Sequence, residues 1–248
     1  MSDPIFEVCL QSVDDVVAAQ AGGAQRVELC AALVEGGVTP SLATIAACAA
    51  LPIEVMVMIR PRGGDFDYTA RELAVMEADI AHCRELGVAG VVFGMLTPQG
   101  QVARPQVQRL LAAAGPLQVC FHRAFDVCRD PLEALDILRD LGVRRVLTSG
   151  QAATVPEGLD LIQQLVDRAG SDIEILPGCG ITVNNVAHVL RYTGARQFHA
   201  TAFREVDSRM QHRNDRIYMG VPGWPEYRRA VTDQEVVEKY LRAAVTCK

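Results

Sequence analysis

Lysine is almost missing: of 248 residues, only Lys239 and Lys248 are lysine, and both fall in the last ten positions. Schiff-base chemistry and pyridoxal phosphate anchoring both need a lysine projecting into a site, so neither is expected. Basic charge is also short, since 30 Asp and Glu against 24 Lys and Arg give a net charge of -6. That balance leaves no footprint for a phosphate backbone, and nucleic acid is not an expected partner. No run approaches the roughly 20 uncharged apolar residues of a membrane helix. The amino-terminal MSDPIFEVCLQSVDD has neither a basic leader nor an apolar cleavable segment, so a cytoplasmic protein without a membrane partner is expected. C-x-x-C is absent too. The eight cysteines (9, 30, 48, 83, 120, 128, 179 and 247) stand singly, a pattern of reduced thiols rather than of a disulfide framework.

What is present suits a full core: half of the residues are hydrophobic and 22% are charged, as in ordinary soluble globules. Four segments repeat one plan, namely GAQRVELC from Gly23, GVAGVVFG from Gly87, GVRRVLTS from Gly142 and GARQFHAT from Gly194. Each reads as a helix-ending glycine, a short linker and a buried strand. The intervals between them are about twice a βα unit, so each interval should hold another strand. Ile53 to Ile59, Leu117 to Phe121 and Ile173 to Leu176 supply these, and Phe6 to Cys9 precedes the first. Helix starts are marked at Asp130-Pro131-Leu132-Glu133, at Thr232-Asp233-Gln234-Glu235, read as a capping box, and at Ser12 and Ser41. Eight strands alternating with helices predict a parallel sheet closed into a single-domain (β/α)8 TIM barrel, with an open doubly wound sheet as the alternative. Two features follow the eighth strand. Residues 205–227, poor in apolar residues, should be a long loop over the barrel mouth or a subunit contact, and residues 232–245 a carboxyl-terminal helix.

Sites in such barrels lie on the rim where strands end, so strand parity selects candidates. A glutamate is not aimed at the apolar underside of a helix, which sends Glu7 with Cys9, and Glu28 with Cys30, into the interior. The same alternation sends Met56, Met58 and Arg60 inward from the third strand, Cys120 and His122 from the fifth, and Gln197 and His199 from the eighth. Two readings of this polar set stay open. In one, Arg62 with Asp65 merely locks the IRPRGGDFDY loop, and the buried charges pair with each other. In the other, Arg60 or Arg62 receives a carboxylate or phosphate in a forked hydrogen bond. Arg123, in the FHRAFD segment that carries His122 and Asp126, and His199 would add to the anion-binding set, while Glu7, Glu28 or His122 would move protons. PGCGIT, from Pro177 to Thr182, resembles the glycine-rich phosphate loops of these barrels.

Cys9 and Cys30 end adjacent strands with the same parity, so their sulfurs can approach each other. With the Met58 thioether nearby they form a soft donor set that favours Cu(I) or zinc over hard ions. Cys48, Cys83 and Cys128 fall in helical stretches and Cys247 in the tail, away from this pair.

The segments EVCLQSVDDVVAAQAGGAQRVELCAALVEGGVTPS (Glu7 to Ser41), MIRPRGGDFDY (Met58 to Tyr68), VFGMLTPQG, FHRAFD, RVLTSG and FHAT resemble the CutC family, named for copper homeostasis, in content and order. The resemblance implies an eight-stranded barrel, a cytoplasmic protein that often forms a homodimer, and a Cu(I) site at the thiols of Cys9 and Cys30. It also places Glu7, Glu28, Arg60, Arg62, Asp65, His122, Arg123 and His199 in the family pattern. Cys120, Cys179 and the stretch after Arg204 depart from it. Two functions are therefore expected: a copper-binding homeostasis protein, or an enzyme acting on a small anionic metabolite at the carboxyl-terminal rim.

Overall fold

The computed structural model describes residues 3–245, so Cys247 and Lys248 lie outside the described residues. Eight parallel strands alternate with helices: β1 (Ile5–Leu10), α1 (Val13–Ala21), β2 (Arg26–Leu29), α2 (Leu42–Ala49), β3 (Glu54–Met58), α3 (Ala70–Glu85), β4 (Gly90–Phe93), α4 (Arg104–Ala114), β5 (Gln118–Phe121), α5 (Pro131–Asp140), β6 (Arg145–Thr148), α6 (Leu159–Ala169), β7 (Glu174–Pro177), α7 (Val186–Thr193) and β8 (Gln197–Ala200). The sheet runs β7-β6-β5-β4-β3-β2-β1-β8. A parallel bridge between Gly178 and His199 joins its two ends into a barrel. The doubly wound alternative is thereby set aside. Among the described residues no helix is long and apolar enough to cross a membrane, and seven cysteines are free.

Caps start several helices. Ser12, Ser41 and Asp130 accept backbone N–H groups of their first turns, as the sequence predicts. Thr69 and Glu72 form a further, reciprocal capping box on α3, beyond the caps expected from the sequence. The box expected from Thr232 is not formed. Thr232 instead ends a strand, and the last helix, α8 (Gln234–Val245), is capped by Asp233, whose carboxylate accepts the Val236 N–H.

Residues 205–227 are for the most part the long connection that the sequence predicts, with strand only at 205–207. The chain leaves the barrel as β9 (Phe203–Asp207) and returns as the antiparallel β10 (Arg228–Thr232), so residues 205–207 are strand and 208–227 form the long connection between the two strands. Arg228 bonding Glu205 and Asp207 across the two strands explains why a segment poor in apolar residues still pairs. Its base is tied to the outside of the barrel, where buried Asp15 of α1 accepts the Thr232 N–H at 2.7 Å and the Ser12 hydroxyl at 2.6 Å.

Alternation divides the apolar residues into two layers. Outward-facing strand residues such as Phe6, Val27, Val57, Phe121 and Phe198 pack beneath the helices. A smaller set, Cys9, Cys30, Met56, Met58, Val92, Cys120, Leu147 and Leu176, fills the barrel interior. Below it lies a polar plug built from the first residues of strands. Arg26 donates to Glu7 and, at 2.6 Å, to Gln197. Arg145 donates to Glu174, Gln197 and Gln118 at 3.1, 3.1 and 3.3 Å. Arg26 and Gln197 flank β1, and Arg145 and Gln197 flank β7, so these bonds cross the barrel interior. Neither arginine was singled out in the sequence, although Arg26 shares the parity of Glu28.

Burial alone would raise the Glu7 carboxyl, but the Arg26 guanidinium, with His199 and Arg145, outweighs it and holds the group at about 2. Removing one partner of such a buried pair strands the other charge and costs roughly 3–5 kcal/mol. Arg26→Met is therefore expected to lower the urea midpoint sharply, and Arg26→Met with Glu7→Gln to recover much of the loss; equal midpoints for wild type and Arg26→Met would contradict the pairing. The linkage has a definite sign. A carboxyl that titrates at 4.5 unfolded and about 2 folded stabilises fully above pH 4.5 and loses that contribution as pH falls toward 2. Glu7→Gln should flatten the stability profile across that window, and an unchanged slope would count against it. The α5 cap is a milder case: Asp130→Ala should cost about 1 kcal/mol, read from thermal unfolding.

Candidate metal centre at the barrel mouth

Strand pairing sets the site. Glu7 lies beside His199 in the β1–β8 register and Cys9 beside Glu28 in the β1–β2 register. Cys30 follows β2, its N–H donating to the Leu10 carbonyl at 2.9 Å. The sulfurs of Cys9 and Cys30 lie 3.4 and 3.5 Å from the same oxygen, Glu28 Oε2. Ligand atoms of Cys9, Glu28 and Cys30 all fall within 4.8 Å of one another, as do those of Glu7, Glu28 and His199. The two triads share Glu28 and are buried, with Cys9 8% and Cys30 1% exposed. Gly37 closes over them: its backbone has a positive φ, and a Cβ there would sit 3.0 Å from Cys30 Sγ and 3.7 Å from the Met58 methyl.

The protonation pattern follows from the packing. A hydrogen bond from the Cys30 thiol, reinforced by His199 against the cost of burial, lowers the Cys9 thiol to about 5. Cys30, the donor of that bond, is pushed well above the usual thiol range. Burial raises the Glu28 carboxyl well above its ordinary value, with the Cys9 and Glu7 charges adding to the effect. Burial disfavours a charged His199, yet Glu28, Cys9 and Glu7 outweigh it and keep the imidazole protonated well above its ordinary range. Glu7 Oε1 is 2.8 Å from His199 Nδ1, which orients Nε2 toward Glu28 Oε2, 3.7 Å away. Glu28 Oε1 is buried without a hydrogen-bond partner. Cys120, deeper in the barrel, is raised by burial beyond the thiol range.

The other sequence candidates are placed apart. Arg60 donates to the carbonyls of Glu35, Gly37 and Gly64 at 2.8, 3.0 and 2.8 Å, so both of its terminal nitrogens bond the loops. Arg62 bonds Glu72 at 2.6 Å and Asp65 at 3.0 Å, as well as the carbonyls of Gly63, Asp65 and Asp67, which is the loop-locking arrangement. Arg123 donates to Asp126 at 2.7 Å and Ser149 at 2.9 Å. Asp126 also accepts from Thr148 and from the N–H groups of Ser149 and Gln151, joining the loops after β5 and β6. His122 Nδ1 accepts the Ala124 N–H at 3.1 Å. Burial, together with the Arg60 charge, lowers His122 to about 3 and keeps it neutral.

Residues 4–204 match the model of the CutC family. A family protein CutC from Parabacteroides distasonis is 48% identical over 240 residues, spanning 96% of this chain and 99% of that protein. The mouse copper homeostasis protein cutC homolog is 46% identical over 231 residues, 92% of this chain and 85% of that one. A crystal structure of a copper homeostasis protein CutC from Streptococcus agalactiae has a TM-score of 0.77 and 36% identity, covering 80% of this chain and 98% of that chain. The phosphoribosylanthranilate isomerase of Pyrococcus furiosus, at 13% identity and a TM-score of 0.59, shares the fold alone. The barrel, its motifs and these likenesses extend over nearly the whole chain, which belongs to the CutC family.

Proposed function

We propose that this protein serves copper homeostasis by binding Cu(I) through Cys9 and Cys30. The observation that carries this reading is the approach of two thiols from neighbouring strands to one carboxyl oxygen inside the barrel. Thiolate is the soft ligand Cu(I) prefers, and the low pKa of Cys9 supplies one at neutral pH without a large proton penalty. Met58 packs in the same interior cluster as both cysteines and offers a thioether. His199 supports a second reading. Its Nε2 faces the thiols and Glu28 while Nδ1 is bonded to Glu7, the carboxylate–histidine arrangement found behind zinc ligands. Cysteine, histidine and carboxylate together would suit Zn(II).

The two readings separate in a competition titration of the reduced protein against a chromophoric Cu(I) chelator and, separately, a Zn(II) indicator. Stoichiometric Cu(I) uptake that the Cys9→Ser/Cys30→Ser variant abolishes is the expected result. Undiminished affinity in the double variant would dispose of the thiol site, and tight Zn(II) uptake with weak Cu(I) uptake would favour the second reading. Glu7→Gln is expected to weaken metal affinity by about 10–100-fold through misplacement of His199 if His199 is a ligand. It should leave Cu(I) affinity nearly unchanged if the thiols alone hold the ion.

A further inference from the structure

Next to the thiol cluster, on the loops after β3 and β5, three polar atoms are buried with no hydrogen-bond partner: Arg60 Nε, Tyr68 Oη and His122 Nε2. Their residues are 5%, 8% and 3% exposed. Arg60 and His122 flank one ring. The Arg60 guanidinium carbon is 5.2 Å from the Phe66 centroid and the His122 imidazole centroid is 4.9 Å from it. Arg60 also acts on both other groups: its charge and a side-chain contact toward the phenol oxygen ease Tyr68 back from the rise that burial imposes, and its charge adds to the lowering of His122.

All three atoms can donate. Arg60 Nε always carries hydrogen. His122 Nδ1 is spent as an acceptor for Ala124, so in the neutral ring the hydrogen sits on Nε2. The Tyr68 phenol donates in turn. The carbonyls of Glu35, Gly37 and Gly64 take the terminal nitrogens of Arg60 and leave Nε to point elsewhere. Among the described residues Arg60 pairs with no carboxylate, although Arg26, Arg62, Arg123 and Arg145 each do. A buried guanidinium is seldom left without a counter-charge, and three buried donors with no well-formed hydrogen bond carry a desolvation penalty. These facts describe a cationic donor set awaiting an anionic acceptor.

We propose that the rim between the loops after β3 and β5 binds a compact oxyanion, a carboxylate or a phosphate group, through Arg60 Nε, Tyr68 Oη and His122 Nε2. The contact uses single donors from three residues, since the forked face of Arg60 is occupied by the loops. It borders the thiol pair through Gly37, whose carbonyl accepts from Arg60 and whose backbone packs on Cys30. It shares no ligand with the thiol pair and does not rest on the copper reading.

The test is a titration of the full chain with inorganic phosphate and, separately, acetate, at ionic strength held constant with chloride. The Arg60 Nε–H and His122 Nε2–H resonances are followed by nitrogen-15 NMR. Saturable shifts of both resonances with at least one oxyanion are expected, and the oxyanion that saturates identifies the class. Tyr68→Phe and His122→Asn, which keeps an oxygen for the Ala124 N–H, should each weaken binding by about tenfold or more. Cys9→Ser/Cys30→Ser should leave it unchanged. Arg60→Gln is avoided because Arg60 also holds three loop carbonyls. Absence of saturation with either oxyanion, shifts that chloride alone reproduces, or equal affinity in Tyr68→Phe and His122→Asn would overturn the proposal and leave only ordered water at these atoms.

Discussion

Glu7 is the residue on which the interior of this barrel depends. Fully buried on β1, its carboxylate takes the Arg26 guanidinium on one oxygen and His199 on the other. The first contact belongs to the polar plug at the amino-terminal ends of the strands, and the second to the thiol cluster above. A buried carboxylate is tolerable only with such partners, and having them makes it a rigid reference point. His199 cannot turn without breaking the bond to Glu7, and with His199 fixed, its Nε2 faces Glu28 and the thiols. Stability and site geometry thus share one ion network, so a change in the plug is felt at the mouth.

The rim carries two chemistries side by side. Cys9, Cys30 and Met58 form a soft set on the side of β1, β2 and β3, whereas Arg60, Tyr68 and His122 are hard donors on the loops after β3 and β5. Gly37 lies between them, and the absence of its side chain allows the loop to touch both. Arg60 is the pivot of this second set: its terminal nitrogens bind the loops after β2 and β3, and its charge is left without a carboxylate.

The fold was legible because its signal is repeated. Four glycine-led strands and their intervening partners carry the alternation of a parallel barrel, and parity alone placed Glu7, Cys9, Glu28, Cys30, Met58 and His199 on one interior. What escaped the sequence was decided by contacts distant in the chain. Arg26 and Arg145 begin strands, and no spacing announces their partners: Gln197, two strands away from each, and Glu174, the register neighbour of Arg145. Arg62 and Arg60 look alike in IRPRGGDFDY, yet one bonds Glu72 on α3 and the other the carbonyls of two loops, a distinction no spacing encodes. The long connection at 208–227 is legible from its poverty in apolar residues, but the short β9–β10 ladder at its base is not, because it depends on Arg228 meeting Glu205 and Asp207 across the strands. At the last helix the cap moved by one residue because Thr232 was claimed by the hairpin.

The central claim, that two strand-end thiols form the metal-binding element of this barrel, is tested most directly by copper K-edge X-ray absorption on the reduced, Cu(I)-loaded protein. The account expects a first shell containing sulfur from both Cys9 and Cys30, reduced by one sulfur in each single serine variant. A shell of nitrogen and oxygen alone, or a sulfur count that neither replacement lowers, would contradict it.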